Sequence, residues 1–269
     1  MDLFRRKIEL NAGGKLLRPP LTIHFDVDFD DTEKIDTATI KVYNLSDSTI
    51  SGIIANSVVT LSAGYEGDMG VIFKGVAKNV KTTWQGPDKI TEIGCIDETG
   101  SYLTKKITKT FAPGTAASVV LKYLVGEAGL SMGDFSPPTD FIYRKGKTLK
   151  GNVSPLLKAV AKDTKSKMRI GSGKMFIRDP KKGDATGFVL NKESGLIDHP
   201  EPIETEEETK DKGEKKKRSG YKLKMLLNHR VKADSIFVVQ SKAVNKQLRA
   251  VKGTHTCNGR SFYTICEVY

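Results

Sequence analysis

The side chains able to do chemistry are few and scattered. Four histidines, His24, His199, His229 and His255, stand far apart, and none lies in a short metal motif of the His-Glu-x-x-His kind. Cys95, Cys257 and Cys266 have no metal-like spacing. An odd number of thiols does not build a disulfide framework, so they read as small buried hydrophobes. Asp26, Asp28, Asp30 and Asp31 have the acid density of a calcium loop, but Phe25, Val27 and Phe29 between them belong to a strand. The glycine turn and terminal bidentate glutamate of an EF-hand are also missing. Gly171-Ser172-Gly173-Lys174 has the composition of part of a phosphate-binding loop; it joins two strand-like runs and so lacks the helix N-terminus that holds a phosphate. There is no Gly-x-Ser-x-Gly elbow. Neighbouring carboxylates such as Asp97 and Glu98 suit acid–base work by type alone, and nothing in the sequence makes them converge. The expectation is a chain with no catalytic residues, no metal and no cofactor.

The 269 residues suffice for two or three compact domains, each with its own core. A 38% apolar and 28% charged composition fits a folded, soluble chain rather than a disordered one. No run approaches the roughly 20 apolar residues that span a bilayer, and Met1-Asp2-Leu3-Phe4-Arg5-Arg6-Lys7 lacks the apolar stretch of a signal peptide, so folding in a cytoplasm without a membrane anchor is expected. The net charge of +12 raises nucleic acid as a partner. The one dense basic run, Lys215-Lys216-Lys217-Arg218, closes a segment that opens with Glu204, Glu206, Glu207 and Glu208 and has no aromatic residues to stack bases. It reads as an exposed charged loop over 204–219. A basic β-barrel that binds nucleic acid remains the alternative function.

The elements that would position these groups are mostly strands. Residues 3–10 and 21–29 read as strands, with a turn at Asn11-Ala12-Gly13-Gly14. Leu21, Ile23, Phe25, Val27 and Phe29 alternate strictly, which places all five on one face. Ala38–Ser46 follows, with Ile40 and Val42 inward and Tyr43 as a further inward candidate. Ser46-Asp47 then caps a short helix through Ile50, Ile53 and Ile54. Val58–Tyr65, Val71–Ala77 and Ile90–Asp97 complete about six strands, joined by glycine-rich turns at Ala63–Gly70 and Gln85–Asp88. In the middle, Thr115–Leu130 has a helical stripe of Ala117, Val120, Leu121, Leu124 and Val125, with Thr115 as cap and Gly129 as terminator. A second helix follows Asn152 or Ser154, with Pro155 in its first turn and Leu156, Leu157, Val160 and Ala161 buried; Met168–Ile177 forms a hairpin. Strands return at 188–190, 196–197, 221–227, 235–239, 250–256 and 261–268. The fold class is therefore α+β, mostly β: a barrel over 1–97, an α/β module of two helices and a hairpin over 98–179, and a second antiparallel barrel over 180–269. Candidate interaction positions are Gly64, Glu66, Gly67 and Asp68 in the first turn, Gln85 and Asp88 in the second, and Lys215, Lys216, Lys217 and Arg218 in the charged segment.

Several phrases carry a family likeness: Ile40-Lys41-Val42-Tyr43-Asn44-Leu45-Ser46, Val59-Thr60-Leu61-Ser62-Ala63-Gly64-Tyr65, Ile72-Phe73-Lys74-Gly75 and Ile93-Gly94-Cys95-Ile96-Asp97. So do Ser194-Gly195-Leu196-Ile197, the run Gly220–His229 and Ser235-Ile236-Phe237-Val238-Val239. In order, they resemble the tail hub proteins at the baseplate centre of tailed bacteriophages and related contractile injection systems. The resemblance implies a homotrimer in which each chain gives two similar barrels, so that three chains form a pseudo-six-fold ring. That ring would join a hexameric tail tube or distal tail protein to a trimeric spike or tip. The tape measure protein, and later DNA, would pass through its bore. It also implies a structural, non-enzymatic protein of the virion, made in the host cytoplasm. The 204–219 segment departs from the family pattern and either reaches a neighbouring baseplate protein or is solvated.

Overall fold

This computed structural model describes residues 5–32, 35–97, 105–171, 174–208 and 215–269. Strand makes up 58% of the described residues and helix 11%, so the fold is mostly β. The chain divides into two compact units, one of Met1–Asp31, Asp36–Cys95 and Gly183–Tyr269, the other of Thr32–Ile35 and Ile96–Lys182.

The first unit opens with β1 (Arg6–Ala12), β2 (Lys15–Leu17), β3 (Ile23–Asp30), β4 (Thr37–Tyr43), α1 (Asp47–Ser51), β5 (Val58–Tyr65), β6 (Asp68–Gln85) and β7 (Asp88–Ile96). The expected turn at Asn11–Gly14 shrinks to Gly13-Gly14, both at positive φ. Asn11 and Ala12 stay in β1 because strands flank them on both sides, Leu16 and Lys15 on one and Thr60 and Val59 on the other. In β3 the alternation holds: Ile23, Phe25, Val27 and Phe29 are buried, with polar residues between them facing outward. Ala38, Ile40 and Val42 face the same core from β4, while Tyr43 turns away and packs edge-on to the His24 ring at 5.0 Å. Ser46 caps α1 by accepting the Thr49 N–H, but the helix stops at Ser51. Of the three-isoleucine stripe expected there, Ile53 is buried and Ile54 is 65% exposed, since past the helix end successive side chains no longer share a face.

The second unit holds β8 (Lys106–Phe111), β9 (Thr115–Ala116), α2 (Ala117–Glu127), β10 (Ser131–Ser136), β11 (Ile142–Tyr143), β12 (Lys147–Asn152), α3 (Val153–Asp163), β13 (Lys167–Gly171) and β14 (Lys174–Arg178). The α2 stripe is the expected one, and it packs on Val153, Leu157, Val160 and Ala161 of α3. Thr115 does not cap α2: its hydroxyl donates to the Ala112 carbonyl, and Asp140 instead accepts from the backbone N–H and hydroxyl of Ser118. Neither Asn152 nor Ser154 gives α3 a side-chain cap. The β13–β14 hairpin is joined by β10, parallel to β14, into a three-stranded sheet.

The chain then returns to the first unit with β15 (Asp184–Leu190), β16 (Glu201–Glu208), β17 (Lys215–Leu226), β18 (Ser235–Gln240), β19 (Asn245–Cys257) and β20 (Phe262–Val268). The antiparallel pairing of β19 with β3, from Lys252↔Asp30 to Cys257↔Phe25, makes the two β-rich ends one sheet of 13 strands among the described residues. Its path runs β16-β17-β20-β19-β3-β4-β7-β6-β5-β1-β2, with β18 and β15 branching from β19. The expectation of two separate barrels is corrected here. No closed barrel forms among the described residues, because β3, the strand with the strongest alternation, spends its free edge on β19. Two apolar cores persist within this unit: one centres on Leu10, Phe25, Ile40, Leu61, Ile93 and Phe262, the other on Leu190, Leu223, Phe237, Val239, Leu248 and Val268.

Buried polar groups brace the join. The Arg249 guanidinium reaches Asp31 at 3.2 Å and Asp234 at 3.0 Å, with all three side chains at most 12% exposed. Asp31 also donates its backbone N–H to the Val251 carbonyl at 2.7 Å. Arg249→Ala would remove the guanidinium that both buried carboxylates share and is expected to cost about 3–5 kcal/mol of unfolding free energy, measured by urea titration. His255 is 1% exposed, its Nδ1 shares a 2.8 Å hydrogen bond with the Thr264 hydroxyl, and its Nε2 has no hydrogen-bond partner among the described residues. Burial pushes its pKa down to about 3. The unfolded chain therefore takes up a proton below pH 6.5 that the folded chain refuses, so this contribution is complete above pH 6.5 and is lost progressively as pH falls toward 3. Between pH 6.5 and 5, His255→Phe should flatten the stability profile, approaching a change in slope of about 1.4 kcal/mol per pH unit at the acid end of that window.

Candidate interaction surface

At the first predicted turn, Tyr65 pairs with Asp68, leaving only Glu66-Gly67 as the tip, with Gly67 at φ 80°. Glu66 is exposed and takes Arg5 at 3.2 Å and Lys7 at 3.8 Å. Gly64 is not at the tip. It is a buried strand residue of β5, where a Cβ would come within 2.3 Å of the Asp68 carbonyl oxygen. Asp68 is not a free contact residue either: Arg230 grips both its oxygens, at 2.6 and 2.8 Å, and His229 lies 3.9 Å away. The hydrogen bond from Arg230 holds the Asp68 carboxyl below the usual carboxylate range. Gly70 lets the His229 ring lie against the strand; a Cβ there would stand 2.2 Å from its Cδ2. Asp68 and Gly70 thus hold the base of the hairpin against His229 and Arg230, and its tip at Glu66-Gly67 stays exposed.

The second turn contracts likewise to Gly86-Pro87, with Gly86 at φ 59°. Gln85 is exposed. Asp88 is half-buried and accepts from Asn44 Nδ2 at 2.9 Å, while Asn44 Oδ1 accepts the Lys89 N–H at 2.9 Å. Lys89 Nζ is fixed by Asp47 at 2.8 Å and sits 5.9 Å from the Trp84 ring. Trp84, 69% exposed, is a surface aromatic that the sequence reading missed; its signal was the chain's only tryptophan standing two residues before a turn. The two turns lie at opposite ends of the 18-residue β6, about 55 Å of strand apart, so they do not make one surface.

The charged segment is not a loop in its described part. Residues 201–208 and 215–222 are antiparallel partners: Glu204↔Ser219, Thr205↔Arg218, Glu206↔Lys217, Glu207↔Lys216 and Glu208↔Lys215. An acidic strand and a basic strand attract across this register, and that pairing replaces the repulsion that keeps a single-sign block extended and solvated. Lys217 reaches Glu204 at 3.4 Å with both side chains about two-thirds exposed. Arg218 lies over the Tyr269 ring at 4.4 Å, and the Tyr269 hydroxyl is hydrogen-bonded to Thr205. Lys215 and Lys216 are placed as strand positions opposite glutamates.

The acidic side chains of the β3 region are dispersed onto different partners. Asp26 and Asp28 accept from the hydroxyls of Thr256 and Thr254 on the neighbouring strand, Asp31 pairs with Arg249, and Asp30 and Asp36 meet through a backbone N–H. Among the described residues no three His, Cys, Asp or Glu side chains come together as a metal site. Glu98, Ser172 and Gly173 lie outside the described residues. Asp68→Asn keeps the size of the side chain and removes the charge that Arg230 grips; with Arg230 more than a third exposed, the expected loss is about 1 kcal/mol, read from the urea midpoint.

No protein-family model matches this chain, and no curated protein sequence matches it. Its structure is similar to the 43 kDa tail protein of prophage MuSo2 from Shewanella oneidensis, with a TM-score of 0.70 at 8% identity over 99% of this chain and 98% of that one. It is similar to the tail protein from Neisseria meningitidis MC58, with a TM-score of 0.65 at 7% identity over 98% and 96%. It is also similar to the E. coli c3393 protein, a component of the type VI secretion system with structural similarity to the T4 bacteriophage tail proteins gp27 and gp5, with a TM-score of 0.62 at 8% identity over 97% and 76%. At such identities the shared property is the fold, and it extends over nearly the whole chain. This protein has the fold of phage tail proteins, in line with the tail hub resemblance read from its sequence.

Proposed function

We propose that this chain is a structural tail hub protein without enzymatic activity. Three copies form a pseudo-six-fold ring in the virion, between a hexameric tail tube and a trimeric spike or tip, and the tape measure protein and DNA pass through it. The observation that carries this reading is the end-to-end match to a phage tail protein, 99% of one chain on 98% of the other. A match confined to one domain would leave the rest of the chain without a role. Two further features support it. The sheet-bearing unit holds two apolar cores, so each chain supplies two β lobes, formed by the segments 1–97 and 180–269 around the module 98–179, and three chains supply six. The exposed turn at Glu66-Gly67, Gln85 and the indole of Trp84 then serve as contact points for neighbouring tail components. Light scattering on the purified chain should give roughly 90 kDa, three times 29.5 kDa. A monomer at every concentration, alone and with tube and spike proteins added, would overturn the reading.

A further inference from the structure

β20 pairs with β17 only from Tyr221 to Leu226. Past that point Glu204–Glu208 and Lys215–Ser219 continue as a ribbon of two strands. Each strand has its partner on one side and no strand on the other among the described residues. A two-stranded ribbon is marginal in water without a third strand or a packing surface. Tyr269 holds its base, through the Arg218 stack and the Thr205 hydrogen bond. The outer side of β16 runs beside Glu204, Glu206, Glu207 and Glu208; the outer side of β17 runs beside Lys215, Lys216, Lys217 and Arg218. Four acids balance four bases, so the ribbon as a whole carries no net attraction for a polyanion. Each outer side, in contrast, selects a strand of the opposite sign. A second copy of this chain supplies both.

We propose that ribbons of neighbouring copies pair edge to edge, β16 of one copy against β17 of the next, and that this charge order sets the symmetry of the assembly. A twofold dimer would lay β16 on β16 or β17 on β17, acid against acid or base against base. Around a cyclic axis parallel to the ribbons, all β16 strands run one way and all β17 strands the other. Every contact is then antiparallel and joins acid to base, and closure leaves no strand edge open. The charge pattern by itself selects contacts between unlike edges over a twofold contact between like edges. The number three rests on the hub reading above.

The test uses three full-length chains. In the neutral chain Glu204, Glu206, Glu207, Glu208, Lys215, Lys216, Lys217 and Arg218 are all replaced by Gln. In the inverted chain the four glutamates become Lys and the four bases become Glu, which preserves pairing within and between copies but exchanges the edges. Native mass spectrometry at low salt should show the wild-type and inverted chains each forming trimers. The neutral chain should dissociate at a concentration about 10-fold or more above wild type. A wild-type and inverted mixture should hold only homotrimers, because β16 of one then meets a β17 of the same sign in the other. Mixed trimers in statistical proportion, or a neutral chain that associates as tightly as wild type, would overturn the ribbon pairing and leave the hub reading standing. A wild-type twofold dimer would overturn the cyclic order. A wild-type monomer under all conditions would overturn both readings. Should the inverted chain fail to fold by circular dichroism, the neutral chain decides alone.

Discussion

The structure depends on one strand pair. β3 and β19 lie more than 220 residues apart in the chain, yet their six-residue register joins the first and last thirds into a single sheet. The pairing works because each strand meets two demands. β3 gives Ile23, Phe25 and Val27 to one core and Phe29 to the other, while β19 passes from one core at Leu248 and Ala250 to the other at Cys257. The Arg249 bridge to Asp31 and Asp234 lies next to the end of this register, just past Lys252↔Asp30. Thr254 and Thr256 add hydroxyl bonds to Asp28 and Asp26 along the outer face.

The acidic residues of β3 illustrate why chemistry-bearing types need not do chemistry. Four aspartates in six positions attract a metal reading, yet Asp26 and Asp28 on the outer face bond to Thr256 and Thr254 while Asp31 pairs with Arg249. The buried histidine and thiols follow the same logic. Burial holds the His255 imidazole neutral, and it pushes the Cys95 and Cys266 thiols up to about 12, which disfavours the thiolate that nucleophilic catalysis or metal binding would use. Among the described residues, polar side chains such as Asp26 and Asp28 bond across to a neighbouring strand, and the exposed features include turns, the Trp84 indole and a charged ribbon.

Much of this was legible from residue order. The β3 alternation, the α2 stripe, most of the α3 stripe and the core strands of both ends were readable, since each is long enough for its period to show. β2 and β8–β12 were not, being two to six residues long and held by partners rather than by pattern. The single sheet was invisible for a different reason: periodicity says which face of a strand is buried and nothing about which strand lies beside it. In the candidate surface, glycine and aspartate at Gly64 and Asp68 suggested a loop, but one allows a close backbone approach and the other is an anchor for Arg230. The charged segment misled because each block was judged alone. Folding Glu204–Glu208 onto Lys215–Ser219 in antiparallel order reveals the complementarity that a single-block reading hides.

The β3–β19 join also fixes an order of events during synthesis. When β3 has been made, the strand that will cover its open edge is still over 220 residues away. At about 5–20 residues per second that edge waits roughly 10–45 s. A strand with Phe25, Val27 and Phe29 in alternation and one side unpaired is the kind of segment that recruits strangers. Asp26 and Asp28 put two negative charges beside that edge throughout the wait. Charged gatekeepers of this sort discourage mispairing until Thr254 and Thr256 arrive to accept them as neighbours.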